Sequence, residues 1–216
     1  MCNKYANTLE QIVMREYFRV MREHDRLGNA ETLAAIWPKY EGPVVRLTAE
    51  GDRELVRMHW GFLTPQVSKK TGKPIKPAAW NNARDDKLRT APLWKDSFRN
   101  RRCLIPASGY FEWKRVGRTR TPMLVRCDGG EPFVMAGLYE RWQTPEEGFL
   151  HSCTIITTEP NDVAANVHHR MPAILTEGGA EVWMDRELTD LKALTRVLRP
   201  YPLGDLVVHP VSDKVN

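Results

Sequence analysis

Pro122 to Tyr139 reads P-M-L-V-R-C-D-G-G-E-P-F-V-M-A-G-L-Y, and its reading decides the fold class. The flanks at 122–127 and 132–139 are apolar runs of strand length, too short for a stable helix. Between them Asp128-Gly129-Gly130 offers residues that tolerate positive φ, the chemistry of a tight turn joining two strands. Working outward, similar short runs recur at 44–49, 54–60, 103–106, 109–115 and 150–157, with a last strand at about 206–211.

Helical signals lie toward the two ends. Asn7 stands three residues before Glu10, and Leu9, Ile12, Val13, Tyr17, Val20 and Met21 follow at helical spacing until Gly28, which predicts a first helix facing the core. Two short helices are predicted near 161–167 and 178–184, and a third at 189–198. Strands in the middle with helices at both ends give an α+β fold, a mostly antiparallel, barrel-like β core with peripheral helices. A chain of 216 residues suits one such domain over 1–216.

Composition narrows the class. No apolar run approaches the length of a membrane span, so no membrane partner is expected. The opening M-C-N-K-Y-A-N-T-L-E lacks the basic region and apolar stretch of a signal peptide, and a reduced, cytoplasmic compartment is expected. Cys2, Cys103, Cys127 and Cys153 lack metal-ligand spacing, so neither a metal nor a cofactor is expected. Lys and Arg total 32 against 27 Asp and Glu, a net charge of +5 that permits nucleic-acid binding without requiring it. The stretch K-K-T-G-K-P-I-K-P (Lys69 to Pro77) reads as an exposed mobile loop, either a solvated linker or a phosphate-tracking segment.

The chemistry begins at position 2. With Met1 removed, Cys2 would hold a free α-amine and a thiol on neighbouring carbons, a nucleophilic pair available only at an N-terminus. Four further stretches stand out: W-N-N-A-R (Trp80 to Arg84), R-C-L-I-P-A-S-G-Y-F-E-W-K (Arg102 to Lys114), H-H-R-M-P (His168 to Pro172) and H-P-V-S (His209 to Ser212). Strand alternation sets Glu112 on the opposite face from Phe111 and Trp113, so its carboxylate is either exposed or directed into a pocket. Singly, each stretch has an ordinary structural explanation.

Together and in this order, Cys2, Asn82-Ala83-Arg84, Ser108 to Trp113 and His168-x-Arg170-Met171-Pro172 resemble the SRAP family, the SOS response-associated peptidases, also described as abasic-site processing proteins. The resemblance implies a reaction. The α-amine of Cys2 condenses with the aldehyde of a ring-opened abasic site in single-stranded DNA, and the thiol closes a thiazolidine, giving a covalent crosslink that shields the lesion. It implies catalytic roles for Cys2, Asn82, Glu112 and His168, and DNA contacts from Lys4, Arg84, Trp113 and Thr157. Association with the nucleoid during DNA damage follows from the same resemblance.

The chemistry suits these residue types. An α-amine titrates at about 7.7–8.0 and is partly neutral at physiological pH, whereas a lysine at about 10.4 is not. A carboxylic acid among apolar neighbours can deliver a proton to the departing hydroxyl, and a histidine near 6.5 can give or take one at the sugar. Arg84 offers a bidentate fork to a phosphate. Arg99, Arg101, Arg102, Lys114, Arg115 and the Lys69 to Lys76 loop are read as the basic groove, with Trp80 and Trp113 either base-stacking platforms or core. Trp60 and Trp94 are read as core.

Some positions depart from the family pattern. Residues 3–5 are Asn-Lys-Tyr rather than Gly-Arg-Phe, I-W-P-K-Y-E-G-P (Ile36 to Pro43) replaces Y-N-x-A-P, and His169 replaces an acidic residue. Lys4 offers a point charge where the family has a fork. Two other readings are open on the residues alone: an N-terminal-cysteine amidohydrolase, and a non-covalent single-stranded DNA binder. The sequence carries no triad for a general protease, so any peptidase activity is limited to removal of its own Met1. A monomer is the default.

Overall fold

The computed structural model describes residues 2–144, 148–202 and 206–215. In chain order the first elements are β1 (Lys4–Asn7), α1 (Gln11–Tyr17), β2 (Leu33–Ile36), β3 (Glu41–Leu47), β4 (Arg53–Trp60), β5 (Phe62–Val67), β6 (Pro74–Trp80) and β7 (Asn82–Arg84). There follow α2 (Pro92–Asn100), β8 (Arg102–Ala107), β9 (Gly109–Val116), β10 (Thr119–Cys127), β11 (Phe133–Thr144) and β12 (Gly148–Thr158). The chain ends with α3 (Asp162–Ala165), β13 (Met171–Pro172), β14 (Ile174–Leu175), α4 (Glu177–Met184), α5 (Leu191–Arg196) and β15 (Leu206–Pro210).

Five strands close on themselves in the order β12, β4, β3, β8, β11 and back to β12, forming a barrel that β7, β13 and β14 flank. Only the β12–β4 and β12–β7 pairings are parallel among the described strands, so the expected α+β, mostly antiparallel, barrel-like core is what forms. A second sheet runs β15-β10-β9-β1-β2.

Burial on both faces of the barrel explains why its strands read as continuous apolar runs rather than alternating ones. Val44, Cys103, Ile105, Met135 and Ile155 pack with Tyr5, Tyr110 and Val125 of the second sheet. Their neighbours Val45, Leu104, Ala136 and Ile156 pack with Met14, Phe98, Trp183 and Leu194 of the helices. Trp60 and Trp94 are core, as expected. Each large side chain so buried contributes roughly 1.5–3 kcal/mol.

Four expectations need correction. The turn at Asp128-Gly129-Gly130 forms, with Gly130 at φ 83°, but its two strands do not pair. β10 lies between β9 and β15, while β11 joins the barrel between β8 and β12, so this turn hands the chain from one sheet to the other.

The first helix is shorter than predicted and differently capped. Residues 4–7 enter the second sheet, Asn7 Oδ1 accepts from Leu9 N, and α1 begins only at Gln11. Ile12, Val13 and Tyr17 are exposed, and Met14 is the buried residue of α1. Long-range pairing of β1 with both β2 and β9 overrides the local helical pattern.

A helix missed by the strand reading, α2, opens with Pro92 at its first turn, where a missing N–H costs nothing. The expected loop at 69–77 is instead the tip and second strand of the β5–β6 hairpin, paired from Phe62↔Trp80 to Val67↔Pro74.

Candidate active site at the seam between two sheets

The N-terminus reaches the site as a strand. β1 pairs antiparallel with β9 through Lys4↔Phe111, Tyr5↔Tyr110 and Ala6↔Gly109. The pairing ends at Lys4, and Cys2 beyond it turns into the core cluster that holds Tyr5, Trp60 and Tyr110. Ser108 locks the register: Ser108 N donates to Ala6 O at 2.9 Å, and its Oγ accepts from Thr8 N at 2.8 Å. Gly109 is required beside it, since a Cβ there would stand 2.8 Å from Leu124 Cδ1 and 3.1 Å from Val125 O. The S-G-Y-F-E-W stretch is therefore both the docking edge for the N-terminus and the carrier of Glu112.

The barrel supplies the facing wall. β7 runs parallel to β12, with Asn82↔Ile155 and Arg84↔Thr157. Two consecutive asparagines grip consecutive residues of the terminus: Asn81 Nδ2 donates to Asn3 Oδ1 at 2.6 Å, and Asn82 Nδ2 donates to Cys2 O at 2.8 Å. Asn82 Oδ1 is buried without a hydrogen-bond partner among the described residues. Trp60 Nε1 donates to Asn81 O, fixing the strand from the core side.

Cys2 is buried, at 1% exposure. Burial, reinforced by the nearby Glu112 carboxylate, pushes its thiol up to about 12, although the Lys4 carbonyl accepts from Sγ at 3.6 Å. The thiol is thus held protonated at neutral pH. Glu112 is buried too, and its Oε1 accepts from Trp113 N at 3.2 Å. The sequence left exposure and pocket open for Glu112, and the carboxylate lines a cleft of about 1340 Å³.

His168 stands across the same cleft. Burial lowers it below the usual histidine value, and the Glu112 charge pulls the other way. Its Nδ1 lies 3.1 Å from both Arg170 O and Arg170 N. The loop therefore offers an acceptor to a protonated Nδ1 and a donor to a bare one, which leaves Nε2 able to exchange a proton. Cys2, Glu112 and His168 form one electrostatic group drawn from two sheets.

Lys4 is at 1% exposure, and its Nζ has no hydrogen-bond partner among the described residues. The ammonium sits 4.4 Å from the Trp37 ring centroid and 5.8 Å from those of Phe111 and Trp113. Burial lowers its pKa. Trp113 also lines the cleft, with the Arg120 guanidinium 5.7 Å from its ring centroid.

The remaining expected DNA contacts fall less directly. Arg84 is exposed, but its fork is held by Asp86 through Nε–Oδ1 and Nη2–Oδ2 bonds of 2.9 Å each. Thr157 is fully buried, and its hydroxyl donates to Ala83 O at 3.4 Å. It braces β7 rather than facing the cleft.

The predicted basic groove is corrected in part. Arg115 lines the cleft. Arg102 is buried, and its guanidinium donates to the carbonyls of Phe98, Arg99, Trp183 and Asp185, satisfying the C-terminal ends of α2 and α4. Arg101 pairs with Asp96 and Glu140. Trp80, 47% exposed, is not core.

The sequence reading missed four contributors. Arg170 pairs with Asp85 at 2.6 Å and donates to Thr157 O, while Thr158 Oγ1 donates to Asp85 Oδ2 at 2.8 Å. This cluster ties the His168 loop to the end of β7, and Arg170 lies within the H-H-R-M-P stretch. Trp37 lies in the departing I-W-P-K-Y segment. The Trp37–Tyr40 turn puts Lys39 at φ 77° and packs the Trp37 and Tyr40 rings 5.9 Å apart beside Lys4. A side chain in that conformation costs roughly 1–2 kcal/mol.

A mixed barrel with a buried Cys2 held by Asn82 beneath a basic aromatic cleft lined by Glu112 and His168 defines a class of protein. The family model described as SOS response associated peptidase (SRAP) matches residues 1–216, and the chain belongs to that family. Among its curated relatives, the abasic site processing protein YoqW of Bacillus subtilis is 36% identical over 167 residues, covering 76% of this chain and 72% of that one. The abasic site processing protein HMCES of Xenopus tropicalis is 30% identical over 190 residues, covering 76% of this chain and 54% of that one. A solved structure from Bordetella bronchiseptica superposes with a TM-score of 0.77 at 27% identity, covering 98% of this chain and all of the other. One from Bacteroides thetaiotaomicron reaches 0.83 at 21% identity, covering 99% and 93%. The fold and the abasic-site-processing family expected from the motifs are thereby established. No helix among the described residues is long and apolar enough to cross a membrane.

Proposed function

We propose that this chain processes abasic sites by crosslinking to them in single-stranded DNA through Cys2. The Cys2 amine attacks the ring-opened aldehyde, water leaves, and the resulting imine takes the Cys2 sulfur at the same carbon to close a thiazolidine. The thiol proton returns to Glu112, which had given its own to the departing hydroxyl, and the ring nitrogen keeps one amine hydrogen, so the net loss is one water. The observation that carries this reading is the Asn82 hydrogen bond to the Cys2 carbonyl, which fixes that residue within electrostatic reach of Glu112, whose carboxylate in turn acts on His168 in the cleft.

The order of steps follows from the electrostatics. A thiol pushed up to about 12 is a poor first nucleophile, and an α-amine near 7.7–8.0 is a good one. Glu112 protonates the departing hydroxyl and takes the thiol proton, while His168 serves the sugar oxygen through Nε2. Arg84 contacts a phosphate flanking the lesion by exchanging Asp86 for it, Lys4 reaches another by swinging out of its enclosure of Trp37, Phe111 and Trp113, and bases stack on Trp113. The reaction requires Met1 to be gone, and that residue lies outside the described ones.

The test mixes the protein with a single-stranded oligonucleotide carrying one abasic site, beside a Cys2→Ala control. A band on a denaturing gel whose mass equals protein without Met1 plus oligonucleotide minus one water, absent in the control, is the expected result. Reversible, salt-sensitive binding with no covalent product would favour the non-covalent binder instead.

A further inference from the structure

The β5–β6 hairpin takes no part in the site as described, yet it carries most of the chain's charge excess. From Phe62 to Trp80 it contains Lys69, Lys70, Lys73 and Lys76 and no acidic residue, against a net charge of +5 for the whole chain. Its distal half stands clear of the body, with all four lysines exposed. The tip is ordered: Ser68 N donates to Lys73 O at 2.9 Å, Gly72 N donates to Ser68 O at 2.8 Å, and Gly72 takes φ 67°. At roughly 3.3 Å per residue the six residues of β5 and seven of β6 carry that tip about 20 Å from their base. The base is the site itself, because Trp80 runs straight into Asn81 and Asn82.

We propose that this hairpin is an arm that grips double-stranded DNA beside the lesion, its four lysines on the phosphates. The proposal rests on the reading that the cleft acts on DNA. The free half, about 10 Å long, spans roughly three base pairs of duplex at 3.4 Å each, with phosphates of both strands in reach. Single-strand binding combines charge with aromatic platforms, and no aromatic residue lies between Leu63 and Ala79. A two-stranded ribbon also matches the width of the major groove. Lysines there act as point charges, so the grip is independent of sequence.

The test measures reversible binding of the full chain to undamaged DNA across a salt series, with the single strand alone or extended by a ten-base-pair duplex. The comparison protein carries Lys69→Ala, Lys70→Ala, Lys73→Ala and Lys76→Ala, and a second variant carries arginine at the same four positions. On the extended DNA the alanine variant should lose up to about 3.6 from the slope of log affinity against log salt, each phosphate contact contributing about 0.9. The arginine variant should keep the slope, and the single strand alone should bind all three proteins equally. Equal slopes for alanine variant and parent on the extended DNA would overturn the proposal and leave the arm to an acidic protein surface. An equal loss on the single strand alone would also overturn it, making the arm a single-strand track. Crosslinking to a short abasic single strand is scored separately: its failure in every protein would remove the reading of the cleft, while the slopes still judge the arm.

Discussion

Lys4→Met should make the protein more stable and a worse DNA binder. The Lys4 ammonium is buried with no hydrogen-bond partner among the described residues, and its neighbours are aromatic rings. Desolvating an ammonium costs several kcal/mol even after relaxation. The contact with Trp37 at 4.4 Å returns about 1–2 kcal/mol in a desolvated setting. Methionine fills the same length, and sulfur–aromatic contacts add roughly 0.3–1.5 kcal/mol. The net expectation is a gain of about 1–2 kcal/mol, or a rise in melting temperature of roughly 2–8 °C for a chain of this size. Thermal melts followed by calorimetry measure the first half. For the second, the salt slope of single-strand binding should fall by about 0.7, one phosphate contact. A variant that melts lower than the parent would refute the reasoning from burial. One that melts higher but binds with an unchanged slope would remove Lys4 from the phosphate contacts.

Glu112→Gln keeps the shape and the acceptor for Trp113 N but cannot exchange the proton, so crosslinking should slow by about 10²–10⁴-fold while binding of undamaged single strand is retained. Burial holds His168 below the usual value, so the ring stays neutral at pH 7 and the acid limb of the rate profile should lie below pH 6.5; His168→Gln should abolish that limb. The folded chain takes up the His168 proton less readily than the unfolded one, so stability should also fall as the pH drops through and below 6.5. Cys153, like Cys2, is pushed up by burial to about 12 from 9.0. Unfolded chains lose these protons first, so stability should fall as the pH rises from 9 towards 12, by about 1.4 kcal/mol per pH unit per thiol. Urea melts at pH 8 and pH 10 on Cys153→Ala should show that one share gone.

The strands at 44–49, 54–60, 103–106, 109–115 and 150–157 were legible because apolar runs of that length, bounded by turn residues, suit little else. The turn at Asp128-Gly129-Gly130 was legible as a turn but not as a change of sheet, since local φ preference says nothing about which distant strand each arm will join. β1 was invisible for the same reason: Lys4-Tyr5-Ala6-Asn7 has no strand pattern, and only the edges of β2 and β9 make it one. The β5–β6 hairpin read as a loop because its residues are polar and its strands pair only with each other. At the site, the order of motifs brought Cys2, Asn82, Glu112 and His168 to one place. Arg102 misled, since an arginine beside a conspicuous motif reads as a ligand when its fork in fact serves the carbonyls of two helix ends. Asp85 gave no signal, because its partner Arg170 lies 85 residues away.

The placement of the site at a seam has a further meaning. Cys2, Lys4 and Glu112 ride on one sheet, while Asn82 and His168 ride with the barrel. An aminothiol terminus is intrinsically reactive toward any aldehyde, and an unfolded copy of the chain would carry it unchanged. Only docking of the two sheets brings the proton carriers and the Asn82 clamp to it. On the proposed chemistry, the fold acts as a safety catch: a damaged or half-made molecule keeps its warhead but not the trigger.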